Sequence, residues 1–138
     1  MKTVITFGTF DIFHVGHLNI LRRASEMGDR LVVGVSSDAL NLQKKNREPI
    51  YSEQERMAIV GSIKGVDAVF LETSLEKKGD YIRHYAADVL VMGDDWQGRF
   101  DGFRTQCEVC YLPRTPSIST TSIIEITRAT FAQVTREC

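Results

Sequence analysis

Cysteine is scarce in this sequence. Cys107, Cys110 and Cys138 are the only three in 138 residues. An odd count without dense spacing excludes a disulfide framework. Cys107 and Cys110 form a C-x-x-C, but a zinc site of that type needs a second pair. The pair leads into "VCYLP", a strand pattern, whereas a redox C-x-x-C opens a helix. Both are read as reduced thiols. An excess of one charge is also missing: 17 Lys and Arg stand against 18 Asp and Glu, for a net charge of -1. No global field draws such a chain to nucleic acid or to an anionic membrane, so any phosphate ligand must be held by local clusters. No apolar run approaches a membrane span. "TVITF" after Lys2 is too short for a signal-peptide core, so the expected location is the cytoplasm. Internal repeats, low-complexity tracts and linkers are absent too.

What is present is the mix of one globular domain with one core, 43% hydrophobic and 25% charged. The domain is assigned to residues 1–132, with residues 133–138 a frayed tail. Short apolar runs alternate with helical patterns. "TVITF", "RLVVGVS", "VDAVFL", "DVLVMG" and "CEVCYLP" read as strands. Ile20, Leu21, Ala24 and Met27 share one helical face, and Gly28 can end that helix. "DALNLQKKNREPI" reads as a polar, basic loop closed by Pro49. Ser52 with Glu55 resembles a capping box, opening a helix with Ile59, Val60 and Ile63 as its stripe. A weaker helix carries Tyr81, Ile82 and Tyr85, interrupted by Gly79. "DDWQGRFDG" reads as a loop. A last helix from about Thr120 carries Ile123, Ile124, Thr127 and Phe131 on one face. Repeated βα units with uniformly apolar strands predict an α/β fold: a Rossmann-like, doubly wound, five-stranded parallel sheet with helices on both faces. Ligands of such sheets bind beyond the carboxyl ends of the strands. The unusual stretches of this sequence all follow strands, so they share one rim.

The richest of them is "GTFDIFHVGH", Gly8 to His17. Gly8 lets the backbone turn off the strand, and Gly16 allows close approach. His17 falls in the first turn of a helix, where free N–H groups favour an anion, and His14 lies three residues earlier. The spacing is neither the G-x-G-x-x-G of a dinucleotide fold nor a P-loop. The third histidine, His84, belongs to an unrelated helix and no cysteine lies nearby, so no metal-ligand set is expected. Lys44, Lys45 and Arg47 follow the second strand and can neutralise phosphate there. "RTPSISTTS" adds Arg114 and a run of hydroxyls before a helix N-terminus. One of those hydroxyls suffices as a helix cap. Asp94, Asp95 and Trp96 suit a base, a ribose or a metal ion.

"GTFDIFHVGH" and "RTPSISTT", in that order and at that distance, resemble the two signatures of the H-x-G-H nucleotidyltransferase superfamily, the second in its cytidylyltransferase form. "NLQKK", "VMGDDW" and the strand before "LPRT" are similar to those of members acting on glycerol 3-phosphate. The resemblance runs from about Lys2 to Ile126. It implies transfer of CMP from CTP to glycerol 3-phosphate by direct in-line attack, releasing pyrophosphate and giving CDP-glycerol. It also implies Mg²⁺ accompanying CTP, and a homodimer. The same chemistry on phosphoethanolamine, an alditol phosphate or a sugar phosphate is one alternative, as is adenylyl transfer. A non-catalytic nucleotide-binding regulatory module is another.

The resemblance also implies roles. His14 and His17 contact the nucleotide phosphates. Thr9 and Phe10 offer nucleotide-binding backbone, with Asp11 and Gly16 in the same loop. Arg114, Thr115, Ile118, Ser119, Thr120 and Thr121 form a second phosphate and nucleoside clamp. Lys44 meets the acceptor phosphate and the reacting phosphorus, and Arg47 aligns with a second family lysine. Asp95 lies near the nucleoside, and Lys78 on the acceptor side. Val15 stands where members often carry an aromatic residue, Leu75 where they carry tryptophan, and "KGVD" (Lys64 to Asp67) where many read R-Y-V-D.

Overall fold

The computed structural model describes residues 1–116 and 118–137, with side chains through residue 133. Five strands, β1 (Thr3–Gly8), β2 (Arg30–Ser36), β3 (Ala68–Glu72), β4 (Val89–Gly93) and β5 (Glu108–Leu112), form one sheet in the order β3-β2-β1-β4-β5. All four pairings are parallel. The chain begins in the middle, winds outward to β3, then crosses to β4 and β5. The strand order therefore reverses beside β1, where this class of sheet opens a crevice.

Alternation along the strands builds a core on each face. Val4, Leu31, Val33, Val89 and Val91 pack on one side with Leu21 and Ala24 of α1 (Val15–Glu26) and Val60 of α3 (Glu53–Gly61). Ile5, Phe7, Val32, Leu90 and Met92 pack on the other with Ile82 of α4 (Lys78–His84) and with Phe100 and Phe103. The expected doubly wound sheet is observed.

Four local expectations change. The basic segment after β2 is not a loop but a helix, α2 (Asp38–Lys45). Ser37 caps it by accepting from the Leu40 amide at 3.0 Å, and Leu40 and Asn41 are buried. Gly79 lies inside α4 without interrupting it: a Cβ there would stand 3.3 Å from the Phe103 ring, so the missing side chain permits close packing. "DDWQGRFDG" holds two short 3₁₀ turns, Asp94–Trp96 and Asp101–Thr105, the second reaching beyond it. Phe131 does not enter the core. It is 69% exposed on α5 (Thr120–Glu137), whose backbone takes in residues 133–137. Cys138 and Ser117 lie outside the described residues.

Candidate active site

The loop after β1 departs from ordinary backbone geometry. Phe10 and Ile12 have φ of 55° and 46°, left-handed values that are costly for bulky side chains and cluster at functional sites. Phe10 is buried, and its ring meets that of His17 edge-on. The loop ends at His14, which caps α1. The Gly16 amide donates to Nδ1 of His14 at 3.0 Å, and the His14 amide donates to Nδ1 of His17 at 3.1 Å. The two imidazoles thus form a reciprocal cap and stack with centroids 3.8 Å apart. A nitrogen that accepts an N–H carries no proton, so each ring holds its proton on Nε2. A Cβ at Gly16 would lie 2.7 Å from the His14 ring, so glycine here makes room for the protein's own imidazole.

Both rings are held neutral. Burial, then the repulsion between the two rings were both protonated, pushes the His17 pKa from 6.5 down to about 4, with Lys45 adding and Asp11 opposing. Burial and Arg114 lower that of His14. The pair therefore offers two neutral Nε2–H donors, not two cations.

Helix α2 brings Lys44 and Lys45 to the same rim at its C-terminal end. Burial lowers the pKa of each, and neighbouring cations add to it: Lys45, Lys78 and Arg56 at Lys44, Arg47 and Arg56 at Lys45. Glu72 opposes the shift at Lys44, and Asp11 and Asp95 oppose it at Lys45. Crowded ammonium groups of this kind gain most from an incoming anion. The segment after α2 is latched to the β1 loop by Asp11, whose carboxylate accepts from the Ile50 and Tyr51 amides at 2.7 and 2.9 Å. Asp11 lines the cleft, yet these oxygens hold protein backbone.

Beneath this rim lies Arg56, fully buried on α3. Its guanidinium donates to the carbonyls of Thr9 (2.9 Å), Ser36 (2.7 Å) and Tyr51 (3.0 Å), and pairs with Asp38 at 2.7 Å. One side chain thus ties the ends of β1 and β2 to α2 and α3. Asn41 extends the network: it accepts from the Thr9 hydroxyl at 2.8 Å and donates to Ser36 and Ser37.

Beyond β5, the hydroxyls of the "RTPSISTT" stretch have separate tasks. Ser119 and Ser122 cap α5 reciprocally, each hydroxyl accepting the other's amide at 3.0 Å. The Thr120 hydroxyl donates to the Asp11 carbonyl at 2.7 Å, pinning α5 to the β1 loop. Thr115 accepts from Asn19 of α1 at 2.9 Å. Arg114 stays exposed at the mouth.

On the opposite side, after β3, Lys78 and Glu72 form an ion pair at 2.7 Å with side chains only 3% and 2% exposed. The Lys78 ammonium also sits 3.8 Å from the centre of the Phe7 ring. Burial lowers its pKa and Glu72 opposes the shift.

These features enclose one cleft of about 430 Å³. Every expected site residue lines it: Thr9, Phe10, Asp11, His14, Gly16, His17, Lys44, Arg47, Lys78, Asp95, Arg114, Thr115, Ile118, Ser119, Thr120 and Thr121. Glu72, Asn41 and Phe100 line it as well and were not anticipated. Arg56 was missed too, although it lies one helical turn before the core residue Val60, a position that should be buried. Cys107 has no place in this chemistry. Its thiol pKa is raised by burial, the reverse of a reactive cysteine.

Residues 5–126 match the cytidylyltransferase-like family. The chain is 50% identical over 125 residues to the glycerol-3-phosphate cytidylyltransferase of Bacillus subtilis, covering 91% of this chain and 96% of that one. It is 47% identical over 123 residues to the enzyme of the same name from Staphylococcus aureus, covering 89% and 92%. Among solved structures, a lipopolysaccharide core biosynthesis protein from Thermoplasma volcanium shares the fold. Its TM-score is 0.70 at 24% identity, over 83% of this chain and 98% of that one.

Proposed function

The chain belongs to the cytidylyltransferase-like family, and from that premise we propose that it transfers CMP from CTP to glycerol 3-phosphate, releasing pyrophosphate and forming CDP-glycerol. The observation that carries this reading is the stacked His14–His17 pair, both Nδ1 atoms committed to backbone and both Nε2–H groups left as donors. An acceptor phosphate is largely ionised at neutral pH, so attack on the α-phosphorus needs no general base. The protein's work is positioning and charge stabilisation. Strand order sets the layout. Groups after β5 and β4, Arg114 and Asp95, serve the nucleotide, and groups after β3 and β2, Lys78 and Lys44, serve the acceptor. The two imidazoles stand between them, where they donate to oxygens of the reacting phosphate. Arg114 and Lys44 offset the charge that builds there and on the leaving pyrophosphate. The phosphate oxygen attacks in line and no covalent enzyme intermediate forms.

Mg²⁺ belongs to this reading as the ion that accompanies CTP. Among the described residues no three His, Cys, Asp or Glu side chains converge on one point, so the nucleotide's own oxygens would be its main ligands. A homodimer is part of the proposal, supported by exposed Val15 and Ile50 flanking the β1 loop, and sedimentation as a monomer at assay concentration would remove it. So is a cytoplasmic location; among the described residues no helix is long and apolar enough to cross a membrane. The central test is pyrophosphate release with Mg²⁺, each nucleoside triphosphate and a panel of phosphorylated alcohols. Turnover is expected with CTP and glycerol 3-phosphate. Turnover with ATP alone would overturn the cytidylyl assignment, and tight CTP binding without turnover would favour a regulatory module.

A further inference from the structure

We propose that the buried Glu72–Lys78 pair sets the chemical class of the acceptor, admitting a phosphorylated alcohol whose remainder is uncharged and refusing a phosphorylated amino alcohol. The inference rests on cytidylyl transfer and specifies the acceptor end of the same cleft. Glu72 ends β3, and Lys78 opens α4 across the connecting loop. Both line the cleft. Strand β3 is the sheet edge opposite β5, which Arg114 follows, and Lys78 reaches from α4 to Phe7 of β1. A carboxylate in such a place is the natural counter-ion for an ammonium-bearing acceptor. Here it is already taken, 2.7 Å from the Lys78 ammonium, with both side chains almost wholly out of water.

The pair is also held from the outside. Lys78 lies over the Phe7 ring at 3.8 Å and near Phe100 at 5.1 Å, so aromatic faces hold the ammonium in place. A further cation stands close by. Lys44 is close enough to Glu72 and Lys78 for both to influence its titration. An acceptor ammonium at this end would thus meet Lys44 and Lys78, while the buried carboxylate there is already paired. Of the other cleft carboxylates, Asp11 is spent on the Ile50 and Tyr51 amides, and Glu48 and Asp95 are exposed to solvent. Burying an unpaired charge is costly. A hydroxyl needs no counter-ion and can accept a hydrogen bond from either lysine. The exclusion is a repulsive element built into the site, which is how close analogues are separated when attraction alone cannot do it.

Two acceptors of equal size isolate the charge: 2-hydroxyethyl phosphate and 2-aminoethyl phosphate. With CTP, the wild-type protein is expected to show kcat/KM at least about a hundredfold higher for the hydroxyl compound, as for an acceptor that leaves no charge unpaired. Lys78→Met frees the Glu72 carboxylate. The amino-to-hydroxyl ratio of kcat/KM should then rise at least about tenfold, even as glycerol 3-phosphate turnover falls. The double variant Glu72→Gln/Lys78→Met should lose that gain. Equal use of the two compounds by the wild type overturns the proposal, as does an unmoved ratio in Lys78→Met or a gain retained in the double variant. If Lys78→Met does not fold, the wild-type comparison decides. Absence of turnover with CTP and glycerol 3-phosphate is a different failure, of the cytidylyl reading itself, and takes this proposal with it.

Discussion

His14 and His17 cap α1 through Nδ1 and line the cleft, where the proposed reaction uses their Nε2–H groups as donors. Removing either should cost rate more than binding. His14→Ala or His17→Ala is expected to lower kcat by at least about a hundredfold, the usual effect of losing a transition-state donor, as measured by pyrophosphate release. The depressed pKa of His17 has a stability consequence. Between its folded value of about 4 and its ordinary value of 6.5, the unfolded chain binds the extra proton. Stability from the neutral ring is therefore complete above that window and is lost as pH falls through it. At pH 5 the loss is about 2 kcal/mol. Urea melts at pH 7.5 and pH 5 should show wild type losing about that much more than His17→Asn, whose amide stays neutral. Equal losses would mean the ring is already charged in the fold. The two histidines, their glycine and the later "RTPSISTT" were legible because each is an unusual residue beside a strand end. Their bonding was not. Nothing in the spacing says that Gly16 serves the His14 ring, or that Ser119 is spent on a cap.

Among the elements, α2 and α3 show how a polar pattern conceals structure. Asp38–Lys45 has two leucines, and Leu42 is exposed, so no apolar stripe announces the helix. What buries α2 is Leu40 together with the hydrogen-bonded amide of Asn41, and a buried amide looks polar in sequence. Arg56 shows the same effect on α3. Its substitution by methionine keeps helix propensity and volume but strips the Thr9, Ser36 and Tyr51 carbonyls of their donor. Arg56→Met should lower stability by about 2–4 kcal/mol in urea unfolding, since buried acceptors left unpaired carry their full desolvation cost. It should also raise hydrogen exchange at Ile50 and Tyr51, because the latch those amides make with Asp11 rests on the same frame. A loss well under 1 kcal/mol would show that water replaces the guanidinium.

For the whole molecule, the parallel sheet was the most legible feature. Strands covered on both faces must be apolar throughout, and βα repeats leave few connections. The strand order then gathers segments far apart in sequence at one rim, which is why local motifs could be assigned to a single cleft. The Glu72–Lys78 pair was not legible as a pair. Its members stand on a strand end and on a helix, and only the crossover from β3 to β4 brings them together.

That same gathering sorts charge. The chain is nearly neutral, at -1, yet Lys44, Lys45, Arg47 and Arg114 converge on the mouth of one cleft. A nucleotide approaching from solution meets a local attractive field with almost no net molecular charge behind it. Its capture is therefore a short-range event, felt within about one screening length, roughly 8 Å at physiological ionic strength. In stopped-flow binding, added salt should slow CTP association several-fold and leave dissociation nearly unchanged. The timing of nucleotide capture would then answer to the ionic medium, while hydrogen bonds donated by two neutral imidazoles would not.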